Sequence, residues 1–157
     1  MLSKFINSFL DTKSTITVHA HCDGPCGVYD PASTRVAAEA VLSMTKKLIA
    51  LEAPISTDSA EWANYSNTFS RYVAVKEEQA KETKKEILIL WTDYFKPVHL
   101  ETYPDLRETI WKAAKLCSAC KVNIDLAQAE ELMSYVEKIH SIFWASKGRS
   151  DAFVKAS

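Results

Sequence analysis

Two pairs of closely spaced cysteines are the residues of this chain best suited to metal or redox chemistry. The first pair, Cys22 and Cys26, lies in the segment 21–27, HCDGPCG. Its glycines and proline favour a tight turn that folds two thiols toward one point. Such a turn can bind a metal ion, but it can equally hold a disulfide, or its cysteines can be incidental. The spacing alone decides neither this question nor the identity of a metal.

The second pair, Cys117 and Cys120, is interpreted differently. Both residues fall on a predicted helix, where Cys117 is in line with Leu106, Ile110 and Ala113. Buried free cysteine behaves as a small hydrophobic residue, so we predict that this pair packs in the core. A Cys-x-x-Cys pair can also form a redox disulfide or half of a zinc site.

Two other classes of protein stay open on the cysteine spacing. One is a helical zinc-binding module with a tetrahedral site made of Cys22, Cys26, Cys117 and Cys120. The other is a small secreted protein with Cys22 bonded to Cys26 and the first twenty residues as a signal. A helix-rich chain of 157 residues has little need of such a disulfide, because it can bury a sizeable core.

The segment from His21 to Pro31 closely resembles the metal-binding hook of the nickel superoxide dismutase family. The similarity continues after Ala20 over most of the chain, in the segments 91–97 (WTDYFKP), His99, 103–104 (YP) and 142–144 (IFW). The resemblance implies an oxidoreductase that converts superoxide to oxygen and hydrogen peroxide by cycling nickel between Ni(III) and Ni(II). It also implies a homohexamer of all-α subunits.

The resemblance implies that all the metal ligands lie in the hook. The family's precursor is cut directly before the histidine, so residues 1–20 become a propeptide removed by a processing peptidase, and 21–157 form the dismutase domain. Nickel is then bound by the freed α-amino group of His21, the amide nitrogen of Cys22 and the thiolates of Cys22 and Cys26. The His21 imidazole adds an axial ligand to Ni(III). The cut is required, since an uncut His21 nitrogen is an amide without a lone pair to donate.

The resemblance also assigns residues around the metal, which we treat as the candidate catalytic residues. Tyr29 and Asp23 lie beside the hook, and Tyr94 and Lys96 come from the segment 91–97. The tyrosine hydroxyls are expected to hold a water or the small anion, and Lys96 is expected to attract superoxide. The alternatives are that Tyr94 simply extends the aromatic face of Trp91 and that Lys96 is an ordinary solvated lysine.

The chain departs from the family pattern at two positions. Family members orient the axial imidazole through a glutamate and an arginine, and the corresponding residues here are Ala37 and Gln79. Glu39 lies roughly 200° around the helix from position 37 and cannot simply replace that glutamate. What holds the His21 imidazole is therefore left open, and we expect altered rather than absent activity.

The elements that position these residues are predicted to be helices. Only three glycines occur in the chain, so few backbone positions require positive φ, and prolines punctuate the apolar periodicity. We predict an antiparallel up-and-down four-helix bundle at about 31–148, preceded by a hook at 21–29. Its helices are expected to start at Asp30-Pro31, near Asp58 or Ser59, after Thr102 with Pro104 in the first turn, and near Asp125.

The apolar positions of each helix are predicted from the same spacing. The first stripe is Val36, Ala40, Val41, Met44, Leu48 and Leu51. The second, on one long helix or two joined helices with a charged middle at 76–86, is Trp62, Tyr65, Phe69, Tyr72, Val73, Ala80, Ile87, Leu88, Trp91 and Tyr94. The third is Leu106, Ile110, Ala113, Cys117 and Cys120 or Lys121, and the fourth is Leu126, Ala129, Leu132, Met133, Val136, Ile139, Phe143 and Trp144, which ends at a Gly148 cap.

Composition argues against two classes of partner. The net charge is −1, from 19 basic and 20 acidic residues without a basic tract, so we expect no nucleic acid. Charges interrupt every apolar stretch, so we expect no membrane partner. Residues 18–20 look like a small-residue cleavage site, but 1–20 lack the apolar run of a secretory signal. We therefore expect a cytoplasmic protein.

Overall fold

All regular secondary structure in the described part of the chain is helical. The computed structural model describes residues 27–156. Its helices are α1 (Ala32–Ile49), α2 (Ser59–Ile89), α3 (Pro97–Thr102), α4 (Leu106–Val122) and α5 (Leu126–Ser146), and a π-helical turn, Leu90–Tyr94, continues α2. None of these helices combines the length and apolarity needed to cross a bilayer. The predicted propeptide 1–20 and residues 21–26 of the predicted hook lie outside the described residues.

The four long helices form the predicted antiparallel bundle. Each long helix packs against the one before and after it, and α1 also packs against α5, which closes the ring. The Oγ of Ser33, in the first turn of α1, donates to the carboxylate of Glu86 near the end of α2 at 2.7 Å. Lys138 in the second half of α5 pairs with Asp105 at the start of α4. Such contacts between the start of one helix and the later part of its neighbour define an up-and-down arrangement.

Aspartates begin three of the long helices at the predicted places. Their side chains accept a free N–H group of the first turn, Asp30 from Ala32 at 2.8 Å, Asp58 from Ala60 at 2.8 Å and Asp125 from Gln128 at 3.2 Å. Gly148 ends α5 with φ +68°, and Arg149 donates to the carbonyl of Trp144. This is the left-handed glycine cap that the sequence predicts.

The apolar stripe predicted for α1 is wrong at its first half. Val36 is 55% exposed and Ala40 is half-buried. The face that enters the core is instead formed by Thr34, Ala38, Val41, Leu42, Thr45 and Leu48. Thr45 can be buried because its hydroxyl donates to the carbonyl of Val41 at 2.8 Å. A prediction from hydrophobic residues alone therefore misplaces the buried face of α1, because that face includes threonines.

Helix α2 is a single helix, and its predicted stripe needs two corrections. Trp62 and Leu88 are exposed, whereas Lys76 and Glu86, which bound the predicted charged middle, are buried. The Lys76 ammonium donates to the carbonyls of Cys120, Lys121 and Asn123 where α4 ends. The last carbonyls of a helix lack partners within it and carry negative partial charge, which compensates a buried cation. Burial nevertheless lowers the pKa of Lys76, and the nearby carboxylate of Glu77 opposes this shift only in part.

The third predicted helix begins too early. Residues 97–102 form the separate short helix α3, and Pro104 lies before α4 instead of in its first turn. Within α4 the predicted positions Leu106, Ile110, Ala113, Cys117 and Cys120 are all buried. The predicted positions of α5 are likewise buried or half-buried and complete the core: Leu126, Ala129, Leu132, Met133, Val136, Ile139, Phe143 and Trp144.

Cys117 and Cys120 are free, buried cysteines, as predicted. Their relative exposures are 0% and 2%. Burial disfavours the thiolate and raises the pKa to about 12 for Cys117 and about 11 for Cys120. Both side chains therefore act as small apolar groups at neutral pH.

Candidate metal centre

A cavity of about 460 Å³ lies where the chain enters the bundle, between the start of α1 and the end of α2. It is lined by Gly27, Tyr29, Asp93, Tyr94, Lys96 and His99. Gly27 has φ +69°, a backbone conformation that favours glycine and that turns the chain at this point. Gly27 and Tyr29, in the last part of the predicted hook 21–29, therefore line this cavity.

A π-helical turn places the cavity residues that follow α2. The amide of Phe95 donates to the carbonyl of Leu90 at 2.9 Å, which closes the wider turn. Such turns insert an extra residue into a helix and are frequent at functional sites. Lys96 then adopts extended backbone, φ −125° and ψ 163°, as expected for a residue before proline. Two changes of backbone geometry thus turn Tyr94 and Lys96 to the same cavity.

Aromatic contacts hold the ring of Tyr94 at the wall of the cavity. Its centroid lies 5.9 Å from that of Tyr29 and 4.4 Å from that of Phe143. The ring of His99 stacks on it at 5.6 Å, with an interplanar angle of 16°. Tyr29 and Tyr94, predicted from separate segments, are therefore neighbours in space.

The hydroxyl of Tyr94 makes a hydrogen bond in which the donor can be assigned. It lies 2.6 Å from the Oγ of Ser146, and that Oγ donates its own proton to the carbonyl of Phe143 at 2.7 Å. A serine hydroxyl has one proton, so Tyr94 is the donor to Ser146. The Tyr94 oxygen keeps its lone pairs and can accept a hydrogen bond from water. Superoxide, which is an anion, can only accept, so Tyr94 suits a water molecule better than the anion itself.

His99 is a cavity residue to which the sequence analysis gives no role. Its Nδ1 accepts the backbone N–H of Lys96 at 3.0 Å. Nδ1 therefore carries a lone pair, and a neutral ring has its proton on Nε2. Two signals mark it in the sequence: His99 is among the residues that resemble the family, and it lies near the start of α3, where a side chain can accept an N–H group that precedes the helix.

The cavity is lined by charges of both signs. Lys96 supplies an ammonium group and is exposed to solvent at the rim. Asp93 supplies one carboxylate on the same rim. Cationic groups at a cavity mouth attract a small anion over several ångströms and raise its rate of encounter.

The structure brings together three of the predicted catalytic residues, Tyr29, Tyr94 and Lys96. Asp23 and the predicted ligands His21, Cys22 and Cys26 lie outside the described residues. Within residues 27–156, no cluster of three or more His, Cys, Asp or Glu side chains is arranged to hold a metal ion. The donor set predicted for the hook, thiolates together with nitrogens, is of a type that would suit nickel. The cavity that follows it in the chain offers two tyrosine hydroxyl groups and a lysine.

The two departures from the family pattern are visible in the bundle. Ala37 is buried on α1, with 3% relative exposure, and Gln79 is half-buried on α2. The Ala37 methyl group can neither donate nor accept a hydrogen bond. Glu86, the last residue of the charged middle predicted for α2, is buried and accepts the hydroxyl proton of Ser33 in the first turn of α1.

The fold and the cavity together define an all-α bundle protein with two cysteines, Cys22 and Cys26, in the segment that precedes its first helix. The sequence profile of the nickel-containing superoxide dismutases matches residues 16–147, a range that includes the hook and all five helices up to the end of α5. The chain therefore belongs to the nickel-containing superoxide dismutase family.

Known members of the family are similar over most of this chain. The superoxide dismutase [Ni] of Streptomyces coelicolor is 37% identical over 132 residues, which cover 84% of this chain and 92% of that protein. Its counterpart in Streptomyces seoulensis is 38% identical over 133 residues, with the same coverage. A crystal structure of a nickel-containing superoxide dismutase with nickel ligation of the oxidised state superposes with a TM-score of 0.68, at 38% identity, over 82% of this chain and 99% of that one.

Proposed function

We propose that the chain, once cut between Ala20 and His21, disproportionates superoxide into oxygen and hydrogen peroxide with nickel bound in its hook. One observation carries this proposal more than any other. The family match runs through the hook, and the chain leaving the hook enters a cavity where Tyr29, Tyr94 and Lys96 converge.

The hook would hold the metal through its first residues. His21 would supply its α-amino nitrogen and its imidazole, Cys22 its amide nitrogen and thiolate, and Cys26 its thiolate. Nickel bound there would supply reversible one-electron chemistry between Ni(III) and Ni(II), because thiolate and amide donors stabilise the oxidised ion. The propeptide 1–20 keeps the His21 nitrogen as an amide, so a processing peptidase would control when the site becomes competent.

The residues of the cavity would handle the anion and the protons. Lys96 would attract superoxide to the mouth of the cavity. Tyr94, whose hydroxyl donates to Ser146, would hold a water through its oxygen lone pairs, and that water can pass a proton toward the anion. Tyr29 and Asp23 would complete the polar shell beside the hook.

The assembly and location are proposed on the family resemblance. We propose a homohexamer in the cytoplasm. An aromatic row on the first half of α2 supports subunit contacts, since Trp62 is 42% exposed and Tyr65, Phe69 and Tyr72 lie near it on the helix. Trp62 meets Tyr65 edge to face, and Tyr65 stacks on Phe69.

The zinc-module alternative loses its support. Two of its four ligands, Cys117 and Cys120, lie in the core, and burial raises the pKa of both thiols well above neutral pH. Zinc binding requires the thiolate. The family assignment makes nickel the metal.

The proposal is tested on protein isolated from its own host by intact mass and metal analysis. We expect a chain that begins at His21 and contains about one nickel per subunit, as the single hook predicts. Cys22→Ser and Cys26→Ser should abolish nickel binding and dismutation while the helical content stays. Cys117→Ala, which removes a core thiol, is the matched control and should keep both. Zinc in a chain that still begins at Met1 would contradict the proposal.

A further inference from the structure

Hydrogen bonds to a single neighbour fix the ring of His99 at the wall of the cavity. Its Nδ1 accepts the backbone N–H of Lys96 at 3.0 Å, and its own backbone N–H donates to the carbonyl of Lys96 at 2.9 Å. The ring also stacks on Tyr94 at 5.6 Å and meets Phe95 edge to face at 5.8 Å. Two reciprocal hydrogen bonds and two ring contacts therefore leave the imidazole little freedom to turn.

The same contacts determine which ring nitrogen of His99 carries the proton. A backbone N–H is always a donor, so Nδ1 cannot hold a proton while it accepts the N–H of Lys96. The proton of the neutral ring is therefore on Nε2. Because His99 lines the cavity and is only half-buried, part of its ring is accessible to a small molecule. With Nδ1 already bonded, the Nε2–H is the polar group that the ring can offer to such a molecule.

The other donors of the cavity differ from this one. The hydroxyl of Tyr94 donates its proton to Ser146. The ammonium group of Lys96 is exposed at the rim, on a flexible stem. The hydroxyl of Tyr29 can rotate between donating and accepting. An anion can only accept hydrogen bonds, and His99 offers it an N–H whose position is set by the other contacts of the ring.

We propose that the Nε2–H of His99 donates a hydrogen bond to the superoxide anion in this cavity and holds the anion once Lys96 has attracted it. His99 is then a further catalytic residue, because it touches the substrate. The step is binding alone, so the ring keeps its proton and no bond of the anion is made or broken. A neutral donor acts only at contact, whereas the charge of Lys96 acts over several ångströms. This inference rests on the proposed function, because it concerns the same substrate.

Two substitutions separate the two hydrogen-bonding nitrogens of the ring. His99→Asn keeps an acceptor on Cγ, where Nδ1 is attached, and has no atom at the position of Nε2. His99→Gln carries an amide N–H at about the distance of Nε2 from the backbone. Val98→Ala is the matched control, because Val98 is the preceding residue of α3 and is 56% exposed. All chains are cut at His21 and loaded with nickel, and kcat/KM for superoxide is measured over a range of ionic strength.

NMR of the nickel-free cut chain supplies a readout that does not depend on activity. With 15N-labelled histidine, the nitrogen shifts of the His99 ring identify the nitrogen that carries the proton, and we expect Nε2. Hydrogen exchange of the Lys96 amide reports whether a variant keeps the hydrogen bond to position 99, and we expect it to stay protected in His99→Asn. Thermal unfolding identifies a variant that fails to fold.

The expected results separate this inference from the proposed function. Loss of a hydrogen bond to a charged group changes an affinity by about 10- to 100-fold, so His99→Asn should lower kcat/KM in that range at every ionic strength. His99→Gln should keep more activity than His99→Asn, and Val98→Ala should match the wild type. Equal or reversed activities of the two His99 variants, or a proton on Nδ1, would overturn the inference while the proposed function stands. If the wild-type cut chain binds no nickel, the proposed function itself fails.

Discussion

The hydrogen bond between Tyr94 and Ser146 links the cavity wall to the end of α5, and its removal separates a positioning role from a chemical one. Tyr94→Phe removes the hydroxyl and leaves the ring in its aromatic cluster. Ser146→Ala leaves the hydroxyl but removes its acceptor, and the carbonyl of Phe143 also loses a donor. The two variants therefore break the same bond from opposite sides.

The magnitude of the stability change follows from these contacts. A typical hydrogen bond contributes about 0.5–1.5 kcal/mol, so Tyr94→Phe should lower the free energy of unfolding by about that amount. For a chain of this size each kcal/mol shifts Tm by about 2–4 °C. Ser146→Ala loses two hydrogen bonds and should cost more. The double variant should cost less than the sum, because both single variants remove one shared bond.

Dismutation should rank the variants in the opposite order. Without the Tyr94 oxygen no phenol holds a water at the wall, and loss of a group that positions a proton donor costs on the order of 10²-fold. Ser146→Ala keeps that oxygen and should lower kcat/KM far less. Pulse radiolysis measures both rates on nickel-loaded protein, with urea unfolding in parallel. Wild-type activity in Tyr94→Phe, or a greater loss in Ser146→Ala, would refute the assigned role.

Three further predictions concern buried and exposed charges. Lys76→Met leaves at least one buried carbonyl unpaired and should lower the free energy of unfolding in urea by about 1–3 kcal/mol. Lys81→Met, at an exposed position of the same helix, should change it little. Equal stabilities of the two variants would contradict this prediction. Folding raises the pKa of Cys117 and Cys120 from the ordinary 9.0, so native protein at pH 8 should be alkylated only at the two hook thiols. Alkylation of Cys117 in folded protein would refute the burial. The contribution of the protonated Cys117 and Cys120 thiols to the free energy of unfolding, complete below pH 9, should be lost as the pH rises toward 11–12. Lys96→Met should lower kcat/KM and flatten its dependence on ionic strength, while unchanged salt dependence would remove Lys96 from steering.

Apolar spacing is enough to predict the core positions of the later helices, but not those of the earlier ones. In α4 and α5 nearly every core position is an aliphatic, aromatic or cysteine residue, so the 3.6-residue period is visible in the sequence. In α1 the core includes Thr34 and Thr45, and in α2 it includes Lys76 and Glu86. Lys76 is buried because α4 ends beside it with free carbonyls. Such compensation depends on which helix end lies opposite, and the local sequence does not contain that information.

The candidate site likewise contains residues that the sequence predicts and residues that it does not. Tyr29, Tyr94 and Lys96 can be predicted because they lie in segments that resemble those of the nickel superoxide dismutase family. Ser146 cannot, since it acts through Tyr94, which lies 52 residues away in the chain. The π-helical turn that re-aims Tyr94 also has no clear local signal, because Leu90–Tyr94 continues the helical pattern of α2 without a break.

The central claim is that a free amine at His21 completes the nickel site. Two chains test it directly, one that begins at His21 and one that begins at Ala20, because a single added residue converts the amine into an amide. Both are refolded with one equivalent of nickel and assayed for bound nickel and superoxide consumption. The account predicts nickel binding and rapid dismutation in the first chain and the loss of both in the second. Full activity in the chain that begins at Ala20 would contradict it.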